Sequence, residues 1–462
     1  MCHIGFRCLL VSTCVLFLAW SEYSHSKDLY VSSAGEDTVS YEDNNIANPW
    51  RSITKGVYDL RAGDTLHIRG GEYKQMYPMR VRSDYDNRTY GGDPSFTMNA
   101  ESGTAELPVT ITGYADEKVI IDLEGVNAFI HLDNRSHWVF ENLRFINGQV
   151  VFYVGQNSPS THNIFRNLYV KNKYGGDNTG AIVLLNANAE NTIIENNLLI
   201  GPGINDEIHL NTSLIYLKQV RNAKILNNEV RNAPIGIYYK HETKSVGDGP
   251  VDIEIAYNFI ADTSRDAMSL NTNDARIHNN VLGLNNNSIA TSNANGDPGG
   301  DRNLFENNTF YSGGLALLGS TQDNDVTPGS QNNIVRNNIF YEAGVKVHYF
   351  LSPAPHKTEF GFNLFATDGA THSENLNAYS LAEWKAHSGT GIGSIVGRPI
   401  FVTGNVSPRL AVDYELTPNS PGYNADSNGI DMGANVTLVG PSTLIYNPQP
   451  NPPSNVRVEV IN

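Results

Sequence analysis

A six-residue pattern recurs nine times and limits the folds open to this chain more than any other feature. Each copy reads apolar, any, usually Asn, often Asn or Leu, any, apolar, with starts at Phe140, Phe165, Ile194, Ile225, Ile255, Ile277, Phe305, Val335 and Phe360. Successive starts are 25, 29, 31, 30, 22, 28, 30 and 25 residues apart. Positions 1 and 6 are both apolar, yet strand side chains alternate faces with period two, so no single flat strand places both inside. A bend therefore falls within the motif. Asn suits it, because Asn tolerates left-handed backbone and bonds its neighbours. Position 4 is Asn in seven copies: Asn197, Asn228, Asn258, Asn280, Asn308, Asn338 and Asn363. Stacked in successive coils, such amides can bond one another as a ladder.

One supersecondary unit per 22 to 31 residues is the signature of a solenoid. A second strand follows in most coils, as in Gly236-Ile237-Tyr238-Tyr239 and Ala267-Met268-Ser269-Leu270. The expected fold is all-β: a single-stranded right-handed parallel β-helix with its clearest coils over 109–365. Strands near Leu29–Ser32, Thr65–Arg69 and Val119–Leu123 extend it N-terminally. A leucine-rich horseshoe and a β-propeller are disfavoured, because neither the LxxLxL spacing nor the Trp-Asp blade signal occurs.

The first 26 residues, with Arg7 ahead of an apolar run from Cys8 to Trp20, read as a secretory signal, and all three cysteines lie inside it. The expected organisation is a signal over 1–26, one β-helix domain over 27–446 and a Pro-rich tail over 447–462, in a secreted or periplasmic monomer without disulfides. No membrane contact is expected once the signal is removed. The net charge of −16 disfavours a nucleic-acid partner.

Asp28-Leu29-Tyr30-Val31-Ser32, Asn48-Pro49-Trp50-Arg51-Ser52-Ile53 and the stretch Ala62 to Tyr73 resemble the opening of secreted parallel β-helix polysaccharide lyases. Ser380-Leu381-Ala382-Glu383-Trp384, Asp413-Tyr414-Glu415-Leu416 and Ser420-Pro421 resemble the closing segment of that superfamily, whose members include pectate, alginate and chondroitin lyases. The family's usual Ser-Pro-Ala-Ile-Asp close is here Ser420-Pro421-Gly422-Tyr423-Asn424. The resemblance implies a scaffold, and no catalytic signature transfers residue by residue.

Coils longer than the shortest carry insertions, at Gly201–Thr212, Glu242–Asp252, Ala294–Asn303 and Gln322–Asn332. Loops leaving one edge of a sheet would wall a groove fit for an extended polymer. Aligning the second strands places Lys240, Asn271, Ser292 and Ser320 in one column at the groove, with Lys218 one coil earlier. The run Tyr238-Tyr239-Lys240-His241-Glu242, with Arg265-Asp266 before the next strand, concentrates bases and aromatics on an acidic chain.

For an acidic polysaccharide the expected chemistry is β-elimination, in which a cation neutralises the uronate carboxylate and a base removes the adjacent proton. Lys240 is assigned as base or carboxylate clamp, His241 as the alternative base, Arg265 as neutraliser, and Tyr239 or Tyr238 as proton donor or stacking platform. Lys218, Tyr238, Asn271, Asp266 and Arg302 are expected to bind substrate. Lys240 and His241 cannot both face the groove unless the strand bends there. No metal ligand set is assigned. The oxygen-rich stretches Asn293–Asp301 and Asp323-Asn324-Asp325 would suit Ca²⁺, although such loops also serve as plain turns. Alginate leads the substrates, with pectate and other uronates behind it. Alternatives are a hydrolase or uronan epimerase on the same scaffold, with Glu242, Asp266 and Asp274 as its carboxylates, and a non-catalytic adhesive β-helix.

Overall fold

The computed structural model describes residues 26–74, 79–81, 99–125, 128–203, 208–240, 251–291, 300–318, 330–348, 357–369, 371–374, 377–404 and 408–441. Its coils wind as a right-handed parallel β-helix. One sheet of 12 strands collects the first half of each motif copy. A run of 20 strands collects the rest and turns a corner near Asn232 and Asp262, whose φ values are 62° and 57°. It thereby forms a second and a third face.

All nine residues at motif position 3 adopt left-handed backbone, from Asn142 and Asn167 to Tyr257 and Phe362, with φ between 52° and 58°. This turn lets positions 1 and 6 both point inward. Phe140, Phe165, Ile194, Ile225 and Phe305 are fully buried at position 1, as are Phe145, Leu199, Val230 and Phe310 at position 6. Equivalent rings stack: Phe310 on Phe340 at 4.6 Å and Phe340 on Phe365 at 5.0 Å.

The seven position-4 asparagines are all fully buried and form the expected ladder. Each Nδ2 donates to the Oδ1 of the next at 2.9–3.1 Å, and each backbone N–H donates to the same oxygen at 2.8–3.1 Å, from Asn197 to Asn363. The second Nδ2 hydrogen reaches a carbonyl one coil back, such as Asn280 to Ile255 O at 2.9 Å. The ladder ends on Leu168 N–H at one side and Ser394 Oγ at the other.

Both ends of the core are covered. A short helix, Ile53–Tyr58, is N-capped by Ser52 and packs with buried Trp50 at the start. At the other end the helix Leu381–Ser388 carries a Ser380–Glu383 capping box and stops at left-handed Gly389. Its Trp384 is fully buried and stacks on His372 at 4.6 Å. Segment 395–441 then returns along the outside of the second face, where Phe401, Tyr414, Leu416, Met432 and Val436 pack on Phe259, Val281, Tyr311, Ile339 and Leu364. Among the described residues, no helix is long and apolar enough to cross a membrane.

Replacing Asn280 by Ala would leave the backbone N–H of Asn258 unpaired inside the protein and take one acceptor from its Nδ2, which keeps Ile225 O and Ala256 O. At about 1–3 kcal/mol for the orphaned N–H, with the lost side-chain hydrogen bonds added, the expected loss is about 2–4 kcal/mol, measured as a shift of the denaturation midpoint. A loss under about 1 kcal/mol would show the ladder to be dispensable.

Candidate functional site

The third face carries the candidate residues, and strand parity decides which of their side chains point outward. In the strand Ser213–Lys218 the residues Ile215 and Leu217 point into the core, while Tyr216 and Lys218 point outward. The next coil repeats this arrangement in Glu229–Lys240: Ile237 and Tyr239 face in, Tyr238 and Lys240 face out. Their registers pair Tyr216 with Tyr238 and Lys218 with Lys240. Two columns result, about 4.8 Å apart from strand to strand and about 6.6 Å apart along the strand. One is aromatic, with the Tyr216 and Tyr238 ring centroids 5.4 Å apart. The other is cationic and continues to Asn271, because Tyr239 pairs with Leu270.

Tyr216 is buried in an outward apolar cluster with Ala128, Val150, Val183 and Leu185, against which Tyr153 and Tyr238 pack. The accessible part of this floor begins at Tyr238, which like Lys218 and Lys240 is half-buried. Two ammonium groups in adjacent coils, on a chain of net charge −16, repel each other and favour an anion between them.

Tyr239 does not belong to this site. Its ring is 1% exposed, and its hydroxyl donates to Val220 O at 3.0 Å. Burial pushes its hydroxyl pKa far upward, so it cannot serve as proton donor to a groove. Tyr238, which parity turns outward, is the candidate left for that role.

Arg265 is also displaced from the expected cluster. It stands beside Asp266, which opens the third-face segment of its strand and pairs with Ile235, whereas Lys240 ends the neighbouring segment. Five residues of strand separate the two levels, roughly 16 Å at about 3.3 Å per residue. The Arg265 guanidinium donates to Asn211 Oδ1 at 2.5 Å and lies 3.2 Å from Asp266 Oδ2. Asn211 in turn donates to Asp177, so Arg265 fastens Asn211 onto the sheet. Asp266 is 3% exposed and accepts from Asn287 Nδ2 at 3.1 Å. Burial raises its pKa, opposed by Arg265 and by the Asn287 hydrogen bond. It is an interior acid, not a substrate contact.

Arg302 sits in the turn before the first face and holds Asp274 by two hydrogen bonds of 2.8 and 2.7 Å. That pair takes Arg302 into a corner column and engages Asp274, one of the carboxylates considered for hydrolysis. Asn271 is buried, and its backbone N–H donates to Tyr239 O. Thr291 pairs with Leu317, so the column expected to reach Ser320 runs through Leu318, two residues earlier. His241 and Glu242 lie outside the described residues, as do Ser292, Ser320 and the 323–325 stretch.

Of the Asn293–Asp301 loop, only Gly300 and Asp301 are described. Asp301 Oδ1 accepts the Gln331 N–H at 2.7 Å and so bridges coils. Among the described residues, no group of three or more His, Cys, Asp or Glu side chains could hold a metal ion.

Sequence reasoning missed Tyr216 and Asn211. The signal for Tyr216 was present, since Ile215-Tyr216-Leu217-Lys218 and Ile237-Tyr238-Tyr239-Lys240 repeat the same alternation 22 residues apart. Asn211 carried none, because its contact with Arg265 spans two coils from within an insertion.

The right-handed β-helix region family matches residues 213–376. Pectate lyase PEL9 of Emericella nidulans is 27% identical over 162 residues, 32% of this chain and 34% of that protein. The match thus spans about a third of the relative's length. The crystal structure of pectate lyase Pel9A aligns with a TM-score of 0.52 and 14% identity, over 88% of this chain and 96% of that one. A PL6 family polysaccharide lyase from Pseudopedobacter saltans aligns with a TM-score of 0.46 and 12% identity, over 84% and 96%. The family model and the alignment with Pel9A show the right-handed parallel β-helix fold.

Two expectations follow. Tyr239→Phe removes one buried hydrogen bond and should cost about 1 kcal/mol of stability with catalytic turnover unchanged; a large drop in turnover would return Tyr239 to the site. For Asp266, the folded pKa is raised, so between about 3.9 and that raised value the folded chain keeps a proton the unfolded chain has released. Its contribution to stability therefore falls as pH rises through that window. Thermal unfolding of Asp266→Asn across mildly acidic pH should show a flatter decline than wild type; an identical profile would contradict the burial argument.

Proposed function

We propose that the protein is an exported polysaccharide lyase that cleaves a uronate-containing glycan by β-elimination at the Lys218–Lys240 column. The observation that carries this reading is the register pairing of Lys218 with Lys240 on the outward side of the third face, beside Tyr238. One ammonium group neutralises the uronate carboxylate, which makes the proton on the adjacent ring carbon more acidic. The other lysine, as free amine, removes that proton. The electron pair forms a carbon–carbon double bond, the neighbouring bond to the glycosidic oxygen breaks, and that oxygen takes a proton. Lys240 is assigned the base and Lys218 the clamp, because Lys240 lies next to Tyr238, the remaining tyrosine able to protonate the leaving oxygen.

Pectate moves ahead of alginate as the first substrate to test, since the curated relative and the 0.52 structural match are both named pectate lyases. Hydrolysis is less well supported, because Asp274 is held by Arg302 and Asp266 is buried.

Incubation with pectate, alginate and chondroitin should produce ultraviolet absorbance from the unsaturated product on one of them. Lys240→Ala should lower that rate by about 10²–10⁴-fold, and Lys218→Ala should raise KM as well as lower kcat. New reducing ends without absorbance would replace elimination with hydrolysis. Full activity in both variants would remove the site from this column.

A further inference from the structure

The position-3 asparagines form a second column, on the outer corner between the first and second faces, which the proposed lyase chemistry does not use. Segment 395–441 crosses this corner and docks on it. Asn227 Nδ2 donates to Leu438 O, Asn279 Oδ1 accepts from Asn435 N–H at 3.2 Å, and Asn337 exchanges hydrogen bonds of 3.3 and 3.2 Å with Ser427. Asn307 stands between Asn279 and Asn337 in this column. Its side-chain amide makes no hydrogen bond among the described residues, although its backbone N–H donates to Arg336 O.

Asn307 lines a cavity of about 400 Å³ together with Asn279, Glu415, Tyr423, Asp431 and Met432, among others. Tyr423 is 38% exposed, a large aromatic ring on the rim. It lies in Gly422-Tyr423-Asn424, where the sequence departs from the closing stretch of the lyases it resembles. At Gly422 a Cβ would come within 2.9 Å of Leu364 Cδ2, so a larger residue would need that side chain to shift. Asp431 Oδ1 accepts the Asn424 N–H at 2.8 Å. Among the described residues, neither Glu415 nor Asp431 forms an ion pair.

We propose that this cavity is a second saccharide site that takes a neutral sugar ring, separate from the Lys218–Lys240 column. The Tyr423 ring offers an apolar face to the C–H side of a pyranose. The Asn307 amide offers donor and acceptor, and the two carboxylates accept hydroxyl hydrogens. A volume of about 400 Å³ falls within the range of small-molecule sites. Its charge sets the class of ligand: two carboxylates, with no Lys or Arg among the described lining residues, repel a uronate and tolerate an uncharged sugar. A protein that attacks acidic stretches of a mixed glycan would thereby hold the neutral stretches or branches with a different part of its surface.

The test is isothermal titration of the intact protein with neutral oligosaccharides of xylose, galactose, mannose and glucose, and with oligogalacturonate as the charged control. At least one neutral series should bind, and Tyr423→Ala and Asn307→Asp should each weaken it by about tenfold, equivalent to about 1.4 kcal/mol, with the thermal midpoint unchanged. The inference is overturned if no neutral oligosaccharide binds, if both variants bind like wild type, or if oligogalacturonate competes for the same site. Because the readout is binding, failure of the lyase reading would leave this result interpretable.

Discussion

A buried asparagine ladder fixes the rest of this structure. Seven fully buried amides would be costly in an apolar core if unpaired. Each of the five inner amides instead gives both Nδ2 hydrogens and accepts two donors, so their burial depends on the coils being in register. A coil displaced by one residue would orphan several groups at once, which penalises slippage far more than apolar packing alone does. The left-handed turn at position 3 works with the ladder by carrying the chain around the corner so that the apolar residues on either side both reach the core.

Register then becomes chemistry. Residues 22 positions apart in sequence lie one strand apart in space, so Lys218 stacks with Lys240 and Tyr216 with Tyr238. The alternation that builds these columns also separates sequence neighbours: Tyr238 faces out while Tyr239 hydrogen-bonds inside the core. A β-helix thus assembles a surface site from successive coils instead of from one contiguous run. The same rule yields the corner asparagines on which the C-terminal segment docks, with Asn307 as the gap in that row.

The fold was legible in the sequence because a nine-copy motif with a parity conflict between its apolar ends admits few other solutions. The N-terminal strands were legible too, through local patterns with local causes. The candidate column was legible in part. The outward placement of Lys240, Lys218 and Tyr238 follows from strand alternation, which also warned that adjacent residues cannot share a face. Arg265 misled because closeness in sequence to the next strand says nothing of position along it, and it stands at the opposite end from Lys240. Asp266 and Arg302 misled because charged residues near a groove were read as substrate contacts, whereas burial and a bidentate partner assign them to the framework. The Ser320 alignment failed by two residues because insertions hide where a strand ends.

The account holds that a uronate carboxylate is received by stacked lysines of adjacent coils. The most direct measurement is a crystal structure of the Lys240→Ala variant soaked with a uronate oligosaccharide. The account predicts density for the polymer over the third face, with a carboxylate within about 3 Å of Lys218 Nζ and a ring beside Tyr238. An oligosaccharide bound elsewhere, with Lys218 untouched, would contradict it.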